Sequence, residues 1–178
     1  REALLAGLAG LGITPGEEQV ERWLRHVQLV RQWGRTYNLV SPGAMDDLIR
    51  RHVLDALAIH PWAAGAGPLL DVGTGAGFPG LPLAILDASR PVVLIDSVGK
   101  KIRFLNHAIR ELELERVEAL HGRVESFSPA TEFSTSPSRA FSSLADFAAS
   151  VRHLAGPDTR LLAMKGKFPE EELAALPA

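Results

Sequence analysis

The chain has 178 residues, 46% of them hydrophobic, with no cysteine and a formal net charge of −2. That length suits one domain with a small appendage, and the apolar share is ample for a packed core. The missing cysteines exclude disulfides, thiolate metal sites and cysteine nucleophiles, the charge excludes a global basic signature for nucleic acid, and no apolar run approaches the roughly 18 residues of a membrane span.

The first sixty residues read as helices. Thr14-Pro15-Gly16-Glu17 predicts a capping box with proline at the first helical position, followed at helical spacing by Val20, Trp23, Leu24, Val27, Val30 and Trp33. These spacings assign both tryptophans to a core rather than to a base-stacking platform. A second helix is predicted from Ser41-Pro42 to near Pro61, burying Met45, Leu48, Ile49, Val53, Ala56 and Leu57, with His52 and Asp55 flanking that stripe. Residues 1–62 form a helical cap in this reading, and a linker over 61–68 leads into a second unit, residues 63–178. From there short apolar strands alternate with helices: strands at 69–72, 92–95, 117–120 and 160–164, helices at 81–86, 100–112 and 144–154. This alternation predicts an α/β fold with a parallel sheet. Residues 126–138 stand where a fourth strand belongs but lack an apolar run, so that strand is expected to be frayed, interrupted or partly absent. Ligands of open α/β sheets sit beyond the carboxyl ends of strands, so residues 71–77, 96–97, 122–125 and 165–166 should border one crevice.

The densest signal is Leu69-Leu70-Asp71-Val72-Gly73-Thr74-Gly75-Ala76-Gly77-Phe78-Pro79-Gly80, a strand running into a glycine loop. Glycines so spaced allow positive φ and close approach of backbone to a ligand. No Gly-Lys-Ser or Gly-Lys-Thr follows, which removes a phosphate loop. Gly75, Gly77 and Gly80 satisfy the dinucleotide pattern and Asp96 lies where a ribose-binding acid belongs, yet Pro79 and Pro82 deprive the next helix of donors for a pyrophosphate. The alternative is S-adenosylmethionine, with its ribose diol on Asp96 and its methionyl end over the bare turn of Gly73, Gly75 and Gly77. Basic residues cluster as Arg22 with Arg25, Arg31 with Arg35, Arg50-Arg51-His52, and Lys100-Lys101 with Arg103. Singly these are solvated helix faces; together they permit a phosphate-contacting rim.

The chain resembles the bacterial 16S ribosomal RNA guanine-N7 methyltransferases of the RsmG or GidB type. The resemblance is carried by Trp33 with Tyr37-Asn38-Leu39, by Arg51-His52-Val53-Leu54-Asp55, and by residues 71–85 with Phe78-Pro79-Gly80-Leu81-Pro82-Leu83. Residues 96–105, Ser138-Arg139-Ala140-Phe141 and Lys165-Gly166 complete it. It implies a class I, Rossmann-like methyltransferase sheet with helices on both faces and an N-terminal helical cap, and S-adenosyl-L-methionine as methyl donor. By position it implies cofactor contacts at Gly73, Phe78, Asp96, Ser97, Val124, Glu125 and Arg139. It also implies an apolar fourth strand before Ser138, from which this chain departs, and two further strands after its last residues.

Methylation at guanine N7 removes no proton, because that nitrogen carries an in-plane lone pair. Orientation and desolvation are then the protein's task, worth up to about 7 to 11 kcal/mol. Arg139 and Lys165 are the candidate catalytic residues, as cationic donors to guanine O6. Taken alone, Arg139 also suits a structural ion pair, Asp96 a helix N-cap, and Glu125 a solvated loop carboxylate. Ser97 has no adjacent base and is not a nucleophile. The expected partner is 16S ribosomal RNA or the small ribosomal subunit, for a cytoplasmic monomer without metal or membrane. A methyltransferase acting on another RNA or a small molecule, or an NAD- or nucleotide-binding module, remains the alternative.

Overall fold

The computed structural model describes residues 1–65, 67–139, 141 and 143–175; Ala140 of the expected Ser138-to-Phe141 motif, and the Arg35 side chain, lie outside what it describes. Helices α1 (Glu2–Gly10) and α2 (Glu17–Tyr37) open the chain, and α2 starts two residues later than the Thr14-Pro15 reading predicts. Gly16 is its N-cap, and Gln19 is the reason: the Gln19 carboxamide accepts the Gly16 N–H at 2.9 Å and donates to the Leu86 carbonyl at 2.9 Å. The expected continuous second helix is instead a 3₁₀ turn (Pro42–Asp47), a π turn (Ile49–Leu54) and two short helices, α3 (Asp55–Ala58) and α4 (His60–Ala63). The helix type changes while the apolar stripe persists, since Leu48, Val53, Ala56 and Leu57 are all fully buried.

The sheet follows as β1 (Leu69–Val72), α5 (Gly80–Leu86), β2 (Val92–Asp96), α6 (Gly99–Glu111), β3 (Val117–His121), β4 (Phe133–Ser138), α7 (Leu144–Val151), β5 (Ala155–Ala163) and α8 (Glu170–Ala174). All pairs are parallel in the order β3-β2-β1-β4-β5. Strand alternation divides the interior in two. Leu69, Val92 and Leu94 join α2, α5, α6 and the cap in one core that begins at Leu4, while Leu70, Val72 and Ile95 meet Phe147 and Val151 of α7 in the other. Trp23 is fully buried, and its indole N–H donates to the Pro82 carbonyl at 3.1 Å.

The fourth strand corrects the sequence reading in part: β4 is a six-residue strand, nearly all buried, whose pairing with β5 is irregular between Phe133 and Thr135. Hydroxyls do what apolar side chains were expected to do. Ser134, Ser136 and Ser138 donate to the Pro68, Leu70 and Val72 carbonyls at 3.2, 3.0 and 2.9 Å, a period-two ladder along β1. The Arg90 guanidinium, also buried, donates to the Ser134 and Thr135 hydroxyls and to the Gly67 and Ala63 carbonyls, tying β4 to the segment before β1. The hydroxyls of β4 thus enter the interior already paired. No described helix is long and apolar enough to cross a membrane.

Candidate functional site

The strand order reverses between β1 and β4, and a crevice outside the carboxyl ends of strands is where such sheets take ligands. A cleft of about 290 Å³ lies there, walled by Val72 and Gly73 at the end of β1, Ile95 to Val98 at the end of β2, Lys101 of α6, Gly122 to Glu125 after β3, and Phe141 after β4. Of the predicted residues, Gly73, Asp96, Ser97, Val124 and Glu125 line it.

Asp96 is almost wholly buried at the end of β2. Its Oδ1 accepts the Val98 N–H at 2.9 Å; its Oδ2 accepts the Gly75 N–H at 3.0 Å and lies 3.2 Å from Lys101 Nζ. The N-cap-like role leaves room for a ligand, because a carboxylate offers about four acceptor positions and three are used. Gly75 acts through this bond rather than as a wall of the cleft.

The glycine loop closes on a second carboxyl group. Asp71 is fully buried; its Oδ2 accepts the Thr74 hydroxyl at 2.7 Å and the Gly80 N–H at 2.8 Å, while Oδ1 has no partner among the described residues. Burial pushes the Asp71 carboxyl up to about 7, against the lowering effect of those two bonds. Gly77 sits at φ +86°, and a Cβ on it would fall 2.4 Å from Leu81, so both the backbone angle and the packing require glycine. The first turn of α5 has little left to offer an anion: Gly80 N–H goes to Asp71, Leu81 N–H to the Gly77 carbonyl at 2.7 Å, Leu83 N–H to the Pro79 carbonyl, and Pro82 has none.

Phe78 is buried beneath the loop, in stacked contact with two imidazoles of the cap, His26 at 4.6 Å and His52 at 4.9 Å between ring centroids. His26 Nε2 donates to the Ala76 carbonyl at 2.8 Å, and burial lowers its pKa to about 4. Arg139, just past β4, is half-buried and reaches the cap: it contacts His52, the Arg51 carbonyl and Asp55. Lys165 is paired with Glu172 at 3.0 Å and donates to the Phe141 carbonyl at 3.5 Å, which puts it behind the cleft wall rather than in it. That pairing, together with the Leu144 N–H, holds the Glu172 carboxyl below its ordinary range.

Sequence reasoning missed Lys101 and Phe141 as wall residues. Both lie in places a rule could have found: Lys101 is in the first turn after the strand that ends in Asp96, and Phe141 is on the exit from the next strand across the switch point.

Comparison with known proteins bears directly on this geometry. The family described as GidB, rRNA small subunit methyltransferase G, matches residues 19–178. The chain belongs to the rRNA small subunit methyltransferase G family. A Pseudomonas aeruginosa relative bearing that family name is 46% identical over 176 residues, covering 99% of this chain and 82% of its own length. One from Ectopseudomonas mendocina is 47% identical over 178 residues, with 83% of its length covered. Among solved structures, a SAM dependent methyltransferase from Aquifex aeolicus superposes with a TM-score of 0.53 at 22% identity, covering 66% of this chain and 71% of that one. The glycopeptide N-methyltransferase MtfA in complex with S-adenosyl-L-homocysteine gives 0.52 at 18% identity, over 63% of this chain and 47% of its own. These likenesses establish the class I methyltransferase sheet expected for a member of the methyltransferase G family.

Proposed function

We propose that this chain transfers a methyl group from S-adenosylmethionine to N7 of a guanine in 16S ribosomal RNA, as a cytoplasmic monomer without a metal, with residues 1–62 capping the sheet unit of residues 63–178. The observation that carries the cofactor choice is the fate of the donors opening α5. A dinucleotide needs free N–H groups there for its pyrophosphate, and here Asp71 and the loop carbonyls hold them. S-adenosylmethionine has no pyrophosphate to place. Its ribose hydroxyls suit the remaining acceptor capacity of Asp96, and Val72, Ile95, Val124 and Phe141 offer apolar surface to an adenine. Gly73, Ser97 and Glu125 add wall contacts, and Gly75, Gly77, Phe78 and Arg139, which do not line the cleft, complete the proposed cofactor site from the loop and the cap side.

Bound there, the cofactor supplies an electrophilic methyl group on positively charged sulfur. The chain's part is to hold the guanine edge-on to that carbon and to keep water away, since no proton has to be removed. Arg139 and Lys165 are the proposed donors to guanine O6, and Lys165 must part from Glu172 to serve. The ribosomal half of the proposal rests on family membership, with the basic rim supplying phosphate contacts.

Titrating S-adenosylhomocysteine and NAD separately into the wild type and Asp96→Ala tests the cofactor. Heat with the homocysteine analogue, lost in the variant, is expected; heat with NAD instead sinks the assignment. Incubation with small ribosomal subunits should then give a guanine cleavable by borohydride and aniline, the signature of N7 methylation.

A further inference from the structure

One guanidinium meets three acceptors from the cap. Arg139 donates from Nη1 to His52 Nδ1 at 2.6 Å and from Nη2 to the Arg51 carbonyl at 3.0 Å, and Nη2 lies 3.3 Å from Asp55 Oδ2. All three acceptors belong to the π turn Ile49–Leu54 or to the first residue after it. A guanidinium offers N–H donors and no acceptor, so His52 Nδ1 must accept and the neutral ring carries its proton on Nε2.

That same imidazole stacks on Phe78 at 26°. His52 thereby touches two of the proposed cofactor residues, which lie on separate segments of the sheet unit. A plain brace between cap and sheet explains this poorly. The ring's Nε2 is buried with no partner among the described residues, which an arrangement selected only for stability would avoid. The turn that presents the ring is of the π type, which recurs at functional sites. Desolvation, aided by Arg139 and Arg51, lowers the His52 pKa to about 4, so the acceptor persists at neutral pH.

We propose that His52, supported by Asp55, is a positioning residue of the methyl-transfer site, fixing the Arg139 guanidinium and the Phe78 ring from the cap without itself contacting the cofactor. This rests on the reading of Arg139 given under the proposed function.

Two substitutions separate the two contacts: His52→Phe keeps a ring on Phe78 and removes the acceptor, and His52→Asn keeps an acceptor near Nδ1 and removes the ring. A double-mutant cycle of His52→Phe with Arg139→Ala, read as S-adenosylhomocysteine affinity and as kcat and KM on small ribosomal subunits, is the experiment. His52→Phe should weaken binding about tenfold in the wild-type background and by less than about threefold once Arg139 is gone, the non-additivity of groups acting as one unit. His52→Asn should retain more affinity than His52→Phe. The proposal is overturned if His52→Phe lowers only the melting temperature, or if its effect is undiminished in the Arg139→Ala background. A wild type that fails to bind S-adenosylhomocysteine removes the site reading itself, and the proposal with it.

Discussion

Burial sets Asp71 against His26 and His52 as pH changes. Asp71 has its pKa raised to about 7 from 3.8, so the folded state holds that proton longer than the unfolded chain. Its contribution to stability is complete at low pH and is lost as pH rises toward 7. The histidines, lowered to about 4 from 6.5, refuse a proton that the unfolded chain accepts. Their contribution is complete above 6.5 and is lost as pH falls toward 4. Over the shared window the two slopes oppose each other. Asp71→Asn preserves an acceptor for Gly80 and Thr74 but cannot titrate. Its melting temperature should therefore climb more steeply with pH between about 4.5 and 6.5 than that of the wild type; parallel profiles would show that Asp71 is already ionised when folded. At this scale the sequence was half legible. Asp71, Gly73, Gly77 and Asp96 stand in short runs whose chemistry is local, whereas Arg139 and His52 are 87 positions apart and no spacing rule connects them.

Among the elements, β4 was the least legible and the reason is physical. Pattern reading equates a buried strand with apolar side chains, but a hydroxyl that donates to a neighbouring carbonyl is buried at little net cost. Ser136 and Ser138 do this to β1. Replacing either with alanine should lower the unfolding free energy by about 1 kcal/mol, measured by urea denaturation, because the loss is one neutral hydrogen bond plus a carbonyl left short of a donor. An unchanged midpoint for both would mean that backbone donors alone satisfy β1. The other strands were read to within one residue at the β1–β3 end of the sheet, where continuous apolar runs meet turn residues. The π turn was not foreseen, since its buried stripe is nearly that of an ordinary helix.

Across the whole molecule, charge pairing is uneven. Arg1, Arg22 and Arg25 are paired with glutamates at the start of α2 and the end of α6. Arg50, Arg51, Lys100 and Arg103 have no ion pair among the described residues, and Lys100 and Arg103 lie in the first turns of α6, next to the cleft. A net charge of −2 thus conceals cations left without an ion pair at the start of α6. Lys100→Gln with Arg103→Gln should reduce the salt dependence of small-subunit binding by a log–log slope of about 1 to 2 while leaving S-adenosylhomocysteine affinity intact. An unaltered slope would place the phosphate contacts elsewhere. The start of α2 and the end of α5 share one amide. Gln19 holds the N-cap N–H before α2 and the last carbonyls of α5 at once, and Trp23, a turn later, holds the Pro82 carbonyl inside α5. Fraying at either helix end costs the bonds of both, so the cap and the helix behind the glycine loop behave as one cooperative unit that opens together.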